Sequence, residues 1–103
     1  MNAAEKLFTE TGLSIKGAEQ SQMFGKPCFK VRSKAFCCFF ENCMVFKLNG
    51  ENHKAALELK GAKLFDPSGK GRPMKEWVQV PSTHKATWAE LAKAALVYVK
   101  SGV

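Results

Sequence analysis

The stretch CFKVRSKAFCCFFENCMVFKL, residues Cys28 to Leu48, decides the fold class. Phe29 and Val31 alternate with Lys30 and Arg32, the period of a strand with one buried and one solvated face. Arg32, Ser33 and Lys34 then make a polar turn. In Ala35 to Phe40 both faces are apolar, with Phe36, Cys38 and Phe40 expected on one side and Cys37 and Phe39 on the other. Glu41 and Asn42 turn the chain again into Cys43 to Leu48. The segment reads as a three-stranded meander.

Outward from the meander, the pattern changes to helix at both ends. Asn2 is placed to cap an N-terminal helix, Glu5 follows three residues later, Leu7 and Phe8 mark its apolar stripe, and Gly12 is its expected stop. Residues 13–22 (LSIKGAEQSQ) are mixed and interrupted by glycine, and read as loop. After Asn49 and Gly50, Glu51 to Lys60 predicts a short helix with Ala56, Leu57 and Leu59 on its apolar side and Gly61 as its end. Ala62 to Phe65 and Met74 to Val80 are two further strands, separated by the loop DPSGKGRP at 66–73, and Pro81 and Ser82 close the second. Thr87 and Glu90 have the spacing of a capping box. Trp88, Leu91, Ala92, Ala95, Leu96 and Val99 recur at helical spacing up to Gly102. The expected order is α-β-β-β-α-β-β-α, an α+β fold whose largely antiparallel sheet carries its helices on one face.

The chain has 103 residues, 46% of them hydrophobic and 24% charged, with eight Phe and two Trp. Scaling rules for a chain of this mass predict that about 65% of the unfolded surface is buried on folding, enough for one core. This excludes disordered, fibrous and multidomain readings. The apolar run Ala35 to Phe40 is only six residues long, and no run reaches the roughly 20 needed to span a bilayer. Charges in MNAAEKLFTE stand where a signal peptide needs its apolar stretch, so the expectation is a soluble cytoplasmic protein with no membrane association.

Sixteen Lys and Arg against nine Asp and Glu leave a net charge of +7, a surplus that favours polyanions through counterion release. It is densest at Lys26, Lys30, Arg32 and Lys34 and again at Lys60, Lys63, Lys70, Arg72 and Lys75. The candidate nucleic-acid contacts are Lys30, Arg32, Lys34, Lys70, Arg72 and Lys75, and that reading requires them to cluster on one face. A basic surface that only keeps the protein soluble is the competing account.

Cys28, Cys37, Cys38 and Cys43 lie within sixteen residues, yet there is no CxxC pair. Adjacent Cys37 and Cys38 on one strand point to opposite faces, which denies them a shared tetrahedral zinc. They are expected as buried small hydrophobes, with no metal and no disulfide. No catalytic set assembles either. Asp66 is the sole aspartate and His53 and His84 the sole histidines, while Glu51 and Glu58 are the one carboxylate pair sharing a face of one element. The loop Ser68-Gly69-Lys70-Gly71-Arg72 lacks the GxxxxGK[ST] spacing and precedes a strand, not a helix, so no helix dipole would support a bound phosphate. No cofactor is expected.

Several strings together resemble the TfoX N-terminal domain family: Met23-Phe24-Gly25-Lys26-Pro27-Cys28-Phe29-Lys30-Val31, Lys34-Ala35-Phe36, Phe46-Lys47-Leu48, Phe65-Asp66-Pro67, Gly71-Arg72-Pro73-Met74-Lys75-Glu76-Trp77-Val78-Gln79-Val80-Pro81, and Trp88. The resemblance runs from about Met23 to the C-terminus. It implies one compact α/β domain over residues 1–103 with an antiparallel sheet, similar in shape to the YjbR-like proteins. In TfoX-type regulators this domain precedes a second one linked to competence gene regulation, and the family supplies no catalytic residues to map here.

Two functions follow as expectations. The first is a non-enzymatic binding module acting through protein contacts, with a role in transcription regulation. Its association face is Cys37, Phe39 and Val45, taken as the second, apolar side of the sheet, with a homodimer or a protein partner covering it. The second is low-specificity DNA or other nucleic-acid binding by the basic surface. A small-molecule enzyme is the third and least supported.

Overall fold

The computed structural model describes residues 2–23, 25–66 and 69–101. The elements run α1 (Ala3–Leu13), β1 (Glu19–Met23), β2 (Lys26–Val31), β3 (Lys34–Phe40), β4 (Cys43–Lys47), α2 (Gly50–Leu57), β5 (Lys63–Phe65), β6 (Met74–Pro81), a 3-10 turn (Ser82–His84) and α3 (Lys85–Ser101). All six strands form one sheet in the order β1-β2-β3-β4-β6-β5, and every neighbouring pair is antiparallel. The α+β class and the meander stand as read from the sequence.

Both turns of the meander are two-residue hairpins with left-handed backbone, at Arg32 (φ 52°) and Ser33 (φ 69°) and at Glu41 (φ 47°) and Asn42 (φ 63°). Such turns match the twist of the strands they join. Asn2 caps α1 as expected, its Oδ1 accepting from the Glu5 N–H at 2.8 Å.

Three local expectations are corrected. Gly12 does not end α1 but lies buried inside it, and the cap is Ser14. Residues 19–22, expected as loop, belong to β1, which pairs with β2 from Glu19↔Lys30 to Met23↔Lys26. Nothing in EQSQM marks a buried face, because an edge strand is held by its backbone pairing and profits from polar side chains. At the last helix, Thr87 is no N-cap: α3 starts at Lys85, and the Thr87 hydroxyl donates to the His84 carbonyl at 2.8 Å. The expected stop at Gly102 lies outside the described residues.

The main core lies between one sheet face and all three helices. Phe8 of α1, Ala56 of α2 and Trp88, Ala92, Ala95, Leu96 and Val99 of α3 pack with Phe29, Phe36, Met44, Phe46, Val78 and Val80 of the sheet. A second buried cluster, Cys28, Cys38, Val45, Phe65 and Trp77, occupies the opposite face with Ala35, Phe40 and Met74 against it, and no helix residue belongs to it.

Candidate functional site

A β-bulge decides which side chains face the helices. Phe29 pairs with Cys37 and Lys30 with Ala35, so Phe36 is an extra residue in β3. Two residues opposing one bring Phe36 and Cys37 to the same side and shift the alternation of the strand. Phe36, Cys37 and Phe39 are in the helix-side core, and Cys38 and Phe40 face away from it. The expected split of Phe36, Cys38 and Phe40 against Cys37 and Phe39 is thereby corrected.

The expected association face is corrected for the same reason. Cys37 lies beneath the helices, and the Phe39 ring packs 5.6 Å from that of Phe8 on α1. Val45, opposite Cys38, is on the other face. The three residues share no surface and all are buried. The large hydrophobics most exposed among the described residues are Leu13 and Val97, each on a different helix.

The face without helices is organised as a cross-strand row. Ser21 pairs with Cys28, Cys28 with Cys38, Cys38 with Val45, Val45 with Gln79 and Gln79 with Lys63. Cross-strand partners project to the same side, so this row crosses all six strands. Lys26 reaches over the Phe40 ring, 4.9 Å from its centroid, and the Phe40 and Phe65 rings meet edge to face at 5.2 Å. Lys30 stands beside the row between Glu19 and Ala35. A cavity of about 540 Å³ opens here, lined by Phe40, Glu41, Lys63, Leu64 and Gln79 from the strands and by Asp66, Gly69, Gly71 and Pro73 from the β5–β6 connection.

Burial governs the thiols. It pushes Cys37 well above the ordinary thiol value, and Cys38 up to about 12; Cys28 is also raised, mainly by burial, although Lys30 pulls it back. Cys43 is only half-buried. Its Sγ–H donates to the Glu41 carbonyl and its sulfur accepts from Gln79 Nε2, both at 3.5 Å. All four are free thiols, and among the described residues no group of three metal-binding side chains comes together.

The remaining chemical candidates are engaged structurally. His53 Nε2 bonds the Lys75 carbonyl and His84 Nε2 the Lys60 carbonyl, each at 2.7 Å, tying α2 to the start of β6 and the 3-10 turn to the α2–β5 connection. In the β5–β6 connection the Asp66 carboxylate accepts the N–H groups of Gly69 at 3.1 Å and Gly71 at 2.9 Å. Two of the loop amides that a phosphate cradle would use are therefore already bonded, and Ser68 lies outside the described residues. Glu76 accepts from the Tyr98 hydroxyl, which raises the phenol above its ordinary value, and it also faces Lys47 at 3.9 Å.

The six basic residues expected as nucleic-acid contacts fall into two groups. Lys30, Arg32 and Lys34 surround the β2–β3 turn, and Lys70, Arg72 and Lys75 lie on the β5–β6 connection or the first residues of β6. Lys34 lines a recess with Lys47, Tyr98 and Val99 beside α3, whereas Lys30 is on the helix-free face. Lys30 and Lys34 thus stand on opposite faces of the sheet. Lys63 lines the cavity, Lys26 stands over its wall residue Phe40, and Lys70 lies between the lining residues Gly69 and Gly71. Gln79, a polar residue on the helix-free face two positions after Trp77, is buried and lines the cavity, which its place in Trp77-Val78-Gln79-Val80 alone does not show. No family model, curated protein or solved structure matches the chain.

Proposed function

We propose that the domain is a non-enzymatic binding module that takes nucleic acid, with low sequence specificity, on the helix-free face of its sheet. The observation that carries this reading is the placement of Lys26, Lys30 and Lys63 around that face, where no helix stands between them and a ligand. Glu19 opposite Lys30, and Glu41 and Asp66 in the cavity lining, are acidic counterweights, but the chain as a whole carries +7. Lysines act on phosphates as point charges, with strong salt dependence and little base discrimination. The resemblance to the TfoX N-terminal domain supports a role within transcription regulation. Association through Cys37, Phe39 and Val45 loses its basis once these residues divide between the two cores.

The test is a titration of single-stranded and duplex DNA at 50 and 200 mM salt. Binding should weaken steeply with salt, and each of Lys26→Gln, Lys30→Gln and Lys63→Gln should lower the logarithmic salt slope by about one. Absence of binding at the lower salt, or affinity indifferent to salt, refutes the proposal.

A further inference from the structure

The cavity on the helix-free face holds a polar group whose position the lysines do not explain. Gln79 is 7% exposed, and its side-chain Nε2 donates to Cys43 Sγ. Because the Cys43 proton goes to the Glu41 carbonyl, the sulfur offers Gln79 a lone pair, which orients Nε2 toward it. Gln79 lines a cavity of about 540 Å³, a size typical of small-ligand sites.

We infer that this cavity receives one unstacked nucleobase, whose edge pairs with the Gln79 carboxamide and whose phosphate lies toward Lys63. The inference rests on the nucleic-acid reading above and adds to it a site for a single base. A carboxamide presents a donor and an acceptor side by side, matching base edges that do the same, adenine above all. Phe40 supplies an aromatic wall and Leu64 and Pro73 apolar ones, as single-stranded recognition requires. Lys63 is the cross-strand partner of Gln79 and lines the same cavity, so a base on the carboxamide brings its phosphate within range of the ammonium. Lys26, over the Phe40 ring, is a second cation near the site. Glu41 also lines the cavity, and the Asp66 carboxylate is turned to the N–H groups of its own loop. The phosphate is thereby directed to the Lys63 side.

The same chemistry is presented by a free nucleotide and by a base within a single strand, so both are used as probes. Wild-type protein is titrated with AMP, UMP, GMP, CMP and ribose 5-phosphate while backbone amide NMR shifts are followed, and in parallel with a single-stranded oligonucleotide at low salt. The expected result is that nucleotides move the signals of Phe40, Leu64 and Gln79, with affinities that differ between bases, and that ribose 5-phosphate binds at least tenfold more weakly. Gln79→Leu should reduce nucleotide affinity about tenfold and remove the differences between bases, while Lys63→Ala weakens all of them. If Gln79→Leu does not fold, the wild-type shift map and the ribose phosphate comparison decide. Equal binding of ribose 5-phosphate and nucleotides would overturn the inference, since only phosphate would be read. An oligonucleotide that binds with salt dependence while no mononucleotide perturbs the cavity overturns the base site and leaves the nucleic-acid reading standing. Failure of both ligands overturns both.

Discussion

The Phe29 ring lies against the backbone of Gly12: a Cβ at that glycine would sit 2.1 Å from Phe29 Cε2. Helix α1 can therefore approach the sheet only because residue 12 has no side chain. Phe29 is 1% exposed and packs against Phe8 with ring centroids 5.2 Å apart, so the ring has little room to move aside. In a free helix Gly→Ala would gain up to about 1 kcal/mol. Here Gly12→Ala should instead lose about 1–3 kcal/mol by overpacking, read as a lower urea midpoint. Phe29→Leu in the same chain should recover part of the loss, since the two positions are in contact. A rise in midpoint for Gly12→Ala alone would show that α1 does not dock this closely.

Phe39→Asp tests the placement of β3. With Phe39 facing Phe8 beneath the helices, the substitution buries a carboxylate and removes a large apolar side chain, and it should cost about 3–5 kcal/mol or more. The variant should unfold at low denaturant or fail to accumulate. A folded variant whose sole change is in its sedimentation behaviour would restore the association face.

Trp88 anchors α3. It is fully buried, and its Nε1 is the one buried side-chain nitrogen or oxygen among the described residues with no hydrogen-bond partner. Trp88→Ala should cost about 3–5 kcal/mol. Trp88→Phe removes the unmatched donor while keeping most of the ring, so its loss should be clearly smaller in the same denaturation assay. Equal losses would mean the indole nitrogen is satisfied in solution.

The thiols give stability a dependence on alkaline pH. Cys38 is held protonated up to about 12 in the folded protein against an ordinary value of 9.0, and Cys28 and Cys37 are raised as well. The unfolded chain thus ionises these thiols first. Their contribution is complete below about pH 9 and declines as pH rises above it, for Cys38 until about pH 12, by up to about 1.4 kcal/mol per pH unit for each raised group. Urea midpoints measured from pH 7.5 to 10.5 should fall, and Cys38→Ala should make the decline shallower. A flat profile contradicts the burial of these side chains.

Alkylation at neutral pH separates the four cysteines. Half-buried Cys43 should react first, with Cys37 and Cys38 modified only as fast as the domain opens. Peptide mapping after brief iodoacetamide treatment reads the order, and metal analysis of protein isolated under reducing conditions should return no zinc. About one zinc per chain would overturn the reading of these cysteines as packing residues.

Much of this architecture follows from short-range pattern. The alternation of Phe29 and Val31, the two-residue turns at Arg32-Ser33 and Glu41-Asn42, and the stripe from Trp88 to Val99 depend on neighbours within a few residues, and the α+β class is legible from them. Long-range contacts settled the rest. The single inserted residue Phe36 shifts the alternation in β3, because side chains on a strand alternate with a period of two; this moved Cys37 and Phe39 under the helices. The polar segment Glu19–Met23 became a strand through its pairing with β2 alone. Gly12 is required by Phe29, seventeen positions along the chain, not by the helix end. Likewise the cavity exists only where β5, β6 and the end of β3 meet around Gln79 and Lys63, since a site built from three strands has no period within any one of them.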